Sequence, residues 1–140
     1  MNKKANSVLF IAYLAIILYL TLINRNQYSY HRINYRLFTN LEFVASHSFK
    51  TFLYYFAGNI LIFVPMGFFS KNLFKQSFMQ TLILVLLVSF FIETSQYILK
   101  VGIFELDDLV LNTLGGFLGY LIAWIVNKFR IKHKKEDNYV

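Results

Sequence analysis

The sequence predicts an all-α integral membrane bundle of four transmembrane helices, with a short interfacial helix in the first outer loop. Three observations predict it. The chain is 57% hydrophobic, with 16 Phe and 10 Tyr in 140 residues, a composition suited to lipid rather than to a one-domain soluble protein. Four apolar runs, at residues 5–23, 52–69, 78–99 and 109–126, each approach the ~20 residues that a helix needs to cross ~30 Å of hydrocarbon. Every Lys and Arg lies between or beyond those runs.

That placement also interprets the formal charge of +7. Basic residues flanking apolar spans meet anionic lipid headgroups, so the bilayer is the expected partner and nucleic acid is not. The chain has no Cys, which excludes disulfides, thiolate metal sites and thiol nucleophiles. No Walker loop, HExxH, GxSxG or dinucleotide motif is present.

The first run follows Lys3 and Lys4 as a signal peptide would, but "NRNQY" after it lacks a small-x-small cleavage pattern. It reads as an uncut anchor helix. In the loop 24–51, Thr39 and Glu42 have capping-box spacing and Phe38 and Phe43 staple spacing. Leu41, Val44, Ala45 and Phe49 then share one helical face. These signals predict the interfacial helix, against the alternative of a linker with chance periodicity.

The second run contains Pro65 and Gly67. Pro65 removes a backbone donor and frees the carbonyl of Leu61, which predicts a kink beside Asn59. The third run carries Glu93. A mid-membrane acid costs roughly 2.5 to 3.5 kcal/mol, while the twelve Leu, Ile, Val and Phe of residues 82–99 return about 4 to 7, so the helix inserts with its acid.

The fourth run opens on Glu105, Asp107 and Asp108. Acids in a first helical turn satisfy free N–H groups and the positive end of the dipole, so Glu105 and Asp107 read chiefly as a cap. Gly115 and Gly119 form GxxxG with Gly116 beside them. They predict a face for close packing, on the second helix or, as a homo-oligomer, on a second copy.

The connections "SKNLFKQS" and "KVGIFE" are short and force antiparallel neighbours. With the N-terminus inside, nine Lys and Arg fall in inner segments and five in outer ones, which places both termini in the cytoplasm. Residues 1–127 then form one transmembrane domain and residues 128–140 a basic cytoplasmic tail.

Polar residues within the spans are few: Asn59, Glu93, Gln96, Asp108 and Asn112. At 1.5 Å per residue, Asn59 lies about 11 Å in from Phe52, Glu93 about 10 Å in from Lys100, and Asn112 about 10 Å in from Glu105. All reach one level in the outer half of the bilayer. Glu93 and Gln96 are i, i+3 and Asp108 and Asn112 are i, i+4, so each pair shares a face, whereas Asp107 points about 100° away. One polar cluster is therefore expected. It serves either as interhelical glue or as a functional site, with function favoured for Glu93 because intramembrane acids are costly. His31, Arg32 and Arg36 are candidates for phosphate contacts, with ordinary snorkelling as the alternative.

Three stretches, "GNILIFVPMGF" (58–68), "ETSQ" (93–96) and "ELDDLVLNTLGGFLGY" (105–120), in this order and on these helices, resemble VanZ-like membrane proteins. Such proteins read as Asn-x-x-x-Phe-x-Pro-x-Gly, Glu-x-x-Gln and Asp-Asp-x-x-x-Asn-x-x-Gly-x-x-x-Gly. The resemblance covers most of residues 51–124. It implies a multi-pass protein of the bacterial plasma membrane, in a family named for members giving low-level resistance to teicoplanin-type glycopeptide antibiotics.

Depth and resemblance together lead to action at the outer leaflet, on or near a lipid-linked cell-envelope precursor or a lipoglycopeptide, through the five polar residues. Two alternatives stand beside it. An intramembrane enzyme would use Glu93 and Asp108 as acid and base on a lipid headgroup, or to hold Mg²⁺ or Ca²⁺, although no cofactor is evident. A transporter or scaffold would require several copies of so small a bundle.

Overall fold

The computed structural model describes residues 3–23, 33–37 and 48–136. Among them, four helices are long and apolar enough to cross a membrane: Lys4–Ile23, Phe49–Asn72, Phe78–Leu99 and Leu106–Ile131. The chain is thus a multi-pass membrane protein of the predicted class. Helix α1 (Lys3–Leu18) ends in a wider π-helical turn at Tyr19–Ile23. Strand β1 (Ile33–Asn34), α2 (Phe49–Asn72), α3 (Phe78–Leu99), β2 (Phe104–Glu105) and α4 (Leu106–Glu136) follow.

Two helix ends extend beyond the apolar runs 52–69 and 109–126. Ser48, in extended conformation, precedes the first residue of α2, so Phe49 opens the second span instead of ending an interfacial stripe. The rest of that expected helix, including Thr39 and Glu42, lies outside the described residues. Helix α4 also continues to Glu136 without a break at residue 127. The stretch from 127 to 136 contains no Gly or Pro and is rich in Lys and Arg, which propagate a helix readily.

Helix α3 begins with a capping box. The Ser77 hydroxyl accepts from the Gln80 N–H at 3.3 Å, and Gln80 Oε1 accepts from the Ser77 N–H at 2.9 Å. It ends at Lys100, a left-handed residue with φ 57°. Such a residue costs roughly 1–2 kcal/mol without glycine, offset here because the Lys100 and Val101 N–H groups reach the last-turn carbonyls of Tyr97 and Gln96.

The sharp end turns the chain into β2, which pairs in parallel with β1, Ile33 opposite Phe104 and Asn34 opposite Glu105. This short ladder ties the first connection to the head of α4. It was not foreseen, because two residues carry no alternating pattern.

The most extensive packing joins α2 to α4. Successive spans alternate in direction, so these two run parallel. The glycines explain their proximity: a side chain on Gly115 would overlap the Ile60 carbonyl, one on Gly119 the Val64 carbonyl, and one on Gly67 the Gly116 carbonyl. The GxxxG face is therefore filled by α2 of the same chain, not left open for a second copy, since bare backbone is what lets parallel helices approach. Gly116 instead admits the side chain of Val85 from α3.

At the end of the bundle nearer the C-terminus, Lys71 Nζ donates to the Tyr120 hydroxyl at 2.9 Å and Asn127 Nδ2 to Asn72 Oδ1 at 2.8 Å. Both pairs again join α2 to α4. Ile17, Phe63, Met66, Val85 and Ile92 form the buried centre. Helix α1 closes it, the Tyr13 hydroxyl donating to the Ile62 carbonyl at 2.8 Å, three residues before the donor-less nitrogen of Pro65.

Candidate functional site

The opposite end of the bundle, where α2 and α4 begin and α3 ends, holds the polar residues. Tyr55 and Asn59 are successive turns of α2 and face the first turn of α4. Asp108 Oδ1 accepts from the Tyr55 hydroxyl at 2.5 Å and from Asn59 Nδ2 at 2.9 Å. The Tyr55 hydroxyl also lies 3.2 Å from Glu105 Oε2. Glu93, from α3, accepts at Oε2 from the Glu105 backbone N–H at 3.1 Å. The acid of one helix thus holds the start of the next.

Two amides complete the group. Gln96 Nε2 donates to the Thr21 carbonyl at 3.0 Å, one of the last carbonyls of the π-helical turn and hence short of a donor of its own. A carbonyl only accepts, so the amide orientation of Gln96 is fixed. Its Oε1 is buried and has no partner among the described residues. Asn112 Nδ2 donates to the Ser89 hydroxyl at 2.8 Å, and its Oδ1 is likewise unsatisfied among the described residues. A flip of Asn112 would exchange which atom meets Ser89 but would still leave one polar atom open.

These residues surround space. A cavity of about 200 Å³ is lined by Asn59, Glu93, Gln96, Asp108 and Asn112, with Thr21 and apolar neighbours such as Phe63 and Ile92. Nearer the end of the bundle is a second cavity of about 330 Å³, lined by Tyr54, Tyr55, Gly102, Ile103 and Glu105. The two share Gly58, Asn59 and Asp108 as walls. All five candidate residues therefore meet around one cavity. Glu93 and Gln96 are 2% and 1% exposed.

The arrangement is rich in acceptors. Glu93, Glu105 and Asp108 supply carboxylates, and Gln96 and Asn112 add buried amide atoms without a partner among the described residues. A guest with hydroxyl or amine donors matches this lining. Among the described residues, no three His, Cys, Asp or Glu side chains group closely enough to hold a metal ion by themselves.

The family model for VanZ/LLP1 matches residues 10–127, which reach into all four membrane-spanning helices and include the whole cavity lining. The chain belongs to the VanZ/LLP1 family. It is similar to Protein VanZ of Enterococcus faecium, 29% identical over 143 aligned positions that cover all of this chain and 86% of that protein. No solved structure matches.

The motif residues of this VanZ/LLP1 chain divide by geometry. Asp108 and Asn112 enter the cavity, whereas Asp107, though only 2% exposed, lies outside both linings, as its 100° offset predicts. Glu105 occupies β2 ahead of the helix, and its carboxylate meets Tyr55, so it belongs to the rim as well as to the cap position. Arg36 is exposed just beyond β1; its backbone N–H donates to Asn34 Oδ1 at 3.3 Å. His31 and Arg32 lie outside the described residues.

Tyr55, Ser89, Thr21 and Gly58 were missed in the sequence. Tyr55 precedes Asn59 by four, and Ser89, Glu93 and Gln96 fall at i, i+4 and i+7. Helical spacing alone was enough to add those two to the polar face. For Thr21 the only signal was a polar residue in an apolar run.

Proposed function

We propose that this VanZ/LLP1 protein resides in the bacterial plasma membrane with both termini in the cytoplasm. There it binds, within the outer leaflet, the polar headgroup of a lipid-linked cell-envelope component, and through that contact lowers susceptibility to teicoplanin-type glycopeptides. One observation carries the reading: side chains from α2, α3 and α4 line a single cavity, and two of them, Gln96 and Asn112, each keep a buried amide atom without a partner among the described residues. A network serving only as glue gains nothing from buried polar atoms left open, each of which costs about 1–3 kcal/mol. A ligand with donors supplies the missing bonds.

The experiment compares teicoplanin and vancomycin susceptibility in a Gram-positive host expressing the protein, its Glu93→Gln variant and its Asn112→Leu variant at matched membrane levels. Selective protection against teicoplanin by the wild type, and its loss in both variants, supports the reading. Equal protection by all three overturns it.

A second reading is intramembrane catalysis on a lipid headgroup, favoured by the presence of Glu93 and Asp108 in the same cavity wall. Two carboxyl groups on one guest can divide the general acid and base roles. Headgroup analysis by mass spectrometry decides it: a modified lipid that accumulates with wild type and not with Glu93→Gln marks an enzyme.

A further inference from the structure

Gly58 differs from its fellow glycines in α2 and α4. Gly67, Gly115, Gly116 and Gly119 each sit where an added carbon would strike a neighbour, but a carbon on Gly58 would meet nothing within 4 Å among the described residues. Packing therefore does not require glycine there. A glycine inside a helix loosens it relative to alanine, so its position calls for another explanation.

Gly58 is a wall of three spaces. It borders the inner and outer polar cavities and also a groove of about 450 Å³ along α2, lined by Lys50, Leu53, Tyr54, Ala57 and Leu61. The groove is apolar except at Lys50, which stands at its end and places Nζ 5.9 Å from the centre of the Tyr54 ring. From Lys50 to Leu61 the helix rises about 16 Å, half of the ~30 Å hydrocarbon thickness and so the depth of one leaflet.

We propose that Gly58 is a lateral portal through which one bilayer lipid is held in two parts. A single hydrocarbon chain lies in the Lys50–Leu61 groove, and a headgroup bearing hydroxyl donors passes over Gly58 into the acceptor-lined cavity. This rests on the headgroup reading given above and adds the route and the tail site. The occupant is an amphiphile because the apolar groove and the acceptor-rich cavities adjoin at one residue without a side chain. Lys50 marks the groove's membrane-surface end, where a long basic side chain snorkels to the interface. The headgroup's hydroxyls then meet the acceptor-rich walls that the two cavities share and adjoin.

The full-length protein is reconstituted in phosphatidylglycerol nanodiscs containing a diglucosyl lipid with a photoreactive diazirine in one acyl chain, and the crosslinked peptides are mapped. Saturable labelling at Leu53, Ala57 and Leu61 is expected, competed by unlabelled diglucosyl lipid and not by added phosphatidylglycerol. Gly58→Leu should lower it about tenfold and Gly58→Ala less than about threefold. Leu53→Trp, at a half-exposed groove position, should lower it without touching the portal, which guards against misfolding of Gly58→Leu. Labelling that does not saturate, or that is equal in wild type, Gly58→Leu and Leu53→Trp, overturns the proposal. If Gly58 controls labelling while Glu93→Gln and Asn112→Leu leave teicoplanin protection intact, the portal stands and the resistance reading fails. The reverse pattern removes the portal alone.

Discussion

Asn59 of α2 and Asp108 of α4 are joined by a 2.9 Å hydrogen bond, Nδ2 to Oδ1, across the interface of two parallel helices. The same oxygen receives the Tyr55 hydroxyl, so one carboxylate holds donors from successive turns of α2. Asp108→Ala strands the Asn59 amide and leaves the Tyr55 hydroxyl its longer contact with Glu105 Oε2. Leaving a buried donor unpaired costs about 1–3 kcal/mol and the lost Tyr55 bond about 1, so this variant should lose roughly 2–4 kcal/mol. Asp108→Asn keeps an acceptor of the same shape and should lose about 1 kcal/mol. Thermal unfolding of purified protein in one detergent measures both; an alanine variant as stable as the asparagine variant would show that the paired donors do not matter.

The same substitution at two glycines should have opposite signs. Gly119→Ala drives a methyl into the Val64 carbonyl, and such overpacking costs about 1–3 kcal/mol. Gly58→Ala meets open space and should raise helix stability by up to about 1 kcal/mol. Parallel melting curves test the pair. A destabilised Gly58→Ala would mean that another surface packs against it.

What could be read in advance follows from which signals are local. The spans and their polar register were legible because the bilayer imposes one length and the helix one rise. Asn59, Glu93 and Asn112 could therefore be brought to one level by counting. The parallel union of α2 and α4 was half legible: GxxxG announced a close partner, but only the fold shows that Ile60 and Val64 supply it. Glu105 reads as a cap because an acid at the head of a helix looks like one. Its contact with Tyr55 joins residues 50 apart and the β1–β2 ladder pairs Ile33 with Phe104, and neither leaves a periodic trace. Gly58 was hidden for a different reason, since a glycine that borders empty space has the same spelling as one that packs.

Asn112→Leu separates a ligand site from interhelical glue. The substitution takes away the partner of the buried Ser89 hydroxyl, which costs about 1–3 kcal/mol, and also removes an unsatisfied amide atom whose burial costs about as much. The two methyl groups take the places of the amide oxygen and nitrogen beside the 200 Å³ cavity. Stability should hold while teicoplanin protection disappears, the pattern expected when a fold tolerates strain for function. Loss of both would mean that Asn112 chiefly fastens α4 to α3.

Orientation decides which leaflet the cavity serves, and one reporter reads it. If the four spans cross, the chain returns at its C-terminal tail to the side where it began, while β1, β2 and the mouth of the outer cavity lie on the other side. The bias of nine Lys and Arg against five puts the tail inside. A fluorescent protein fused after Val140 should therefore glow, alkaline phosphatase there should be inactive, and phosphatase inserted at Gly102 should be active. Because Gly102 lines the outer cavity, that insertion reports the side of the site itself. An active phosphatase at the tail would move the acceptor-rich cavity to the cytoplasmic leaflet, where neither teicoplanin nor an exported lipid-linked precursor could enter it.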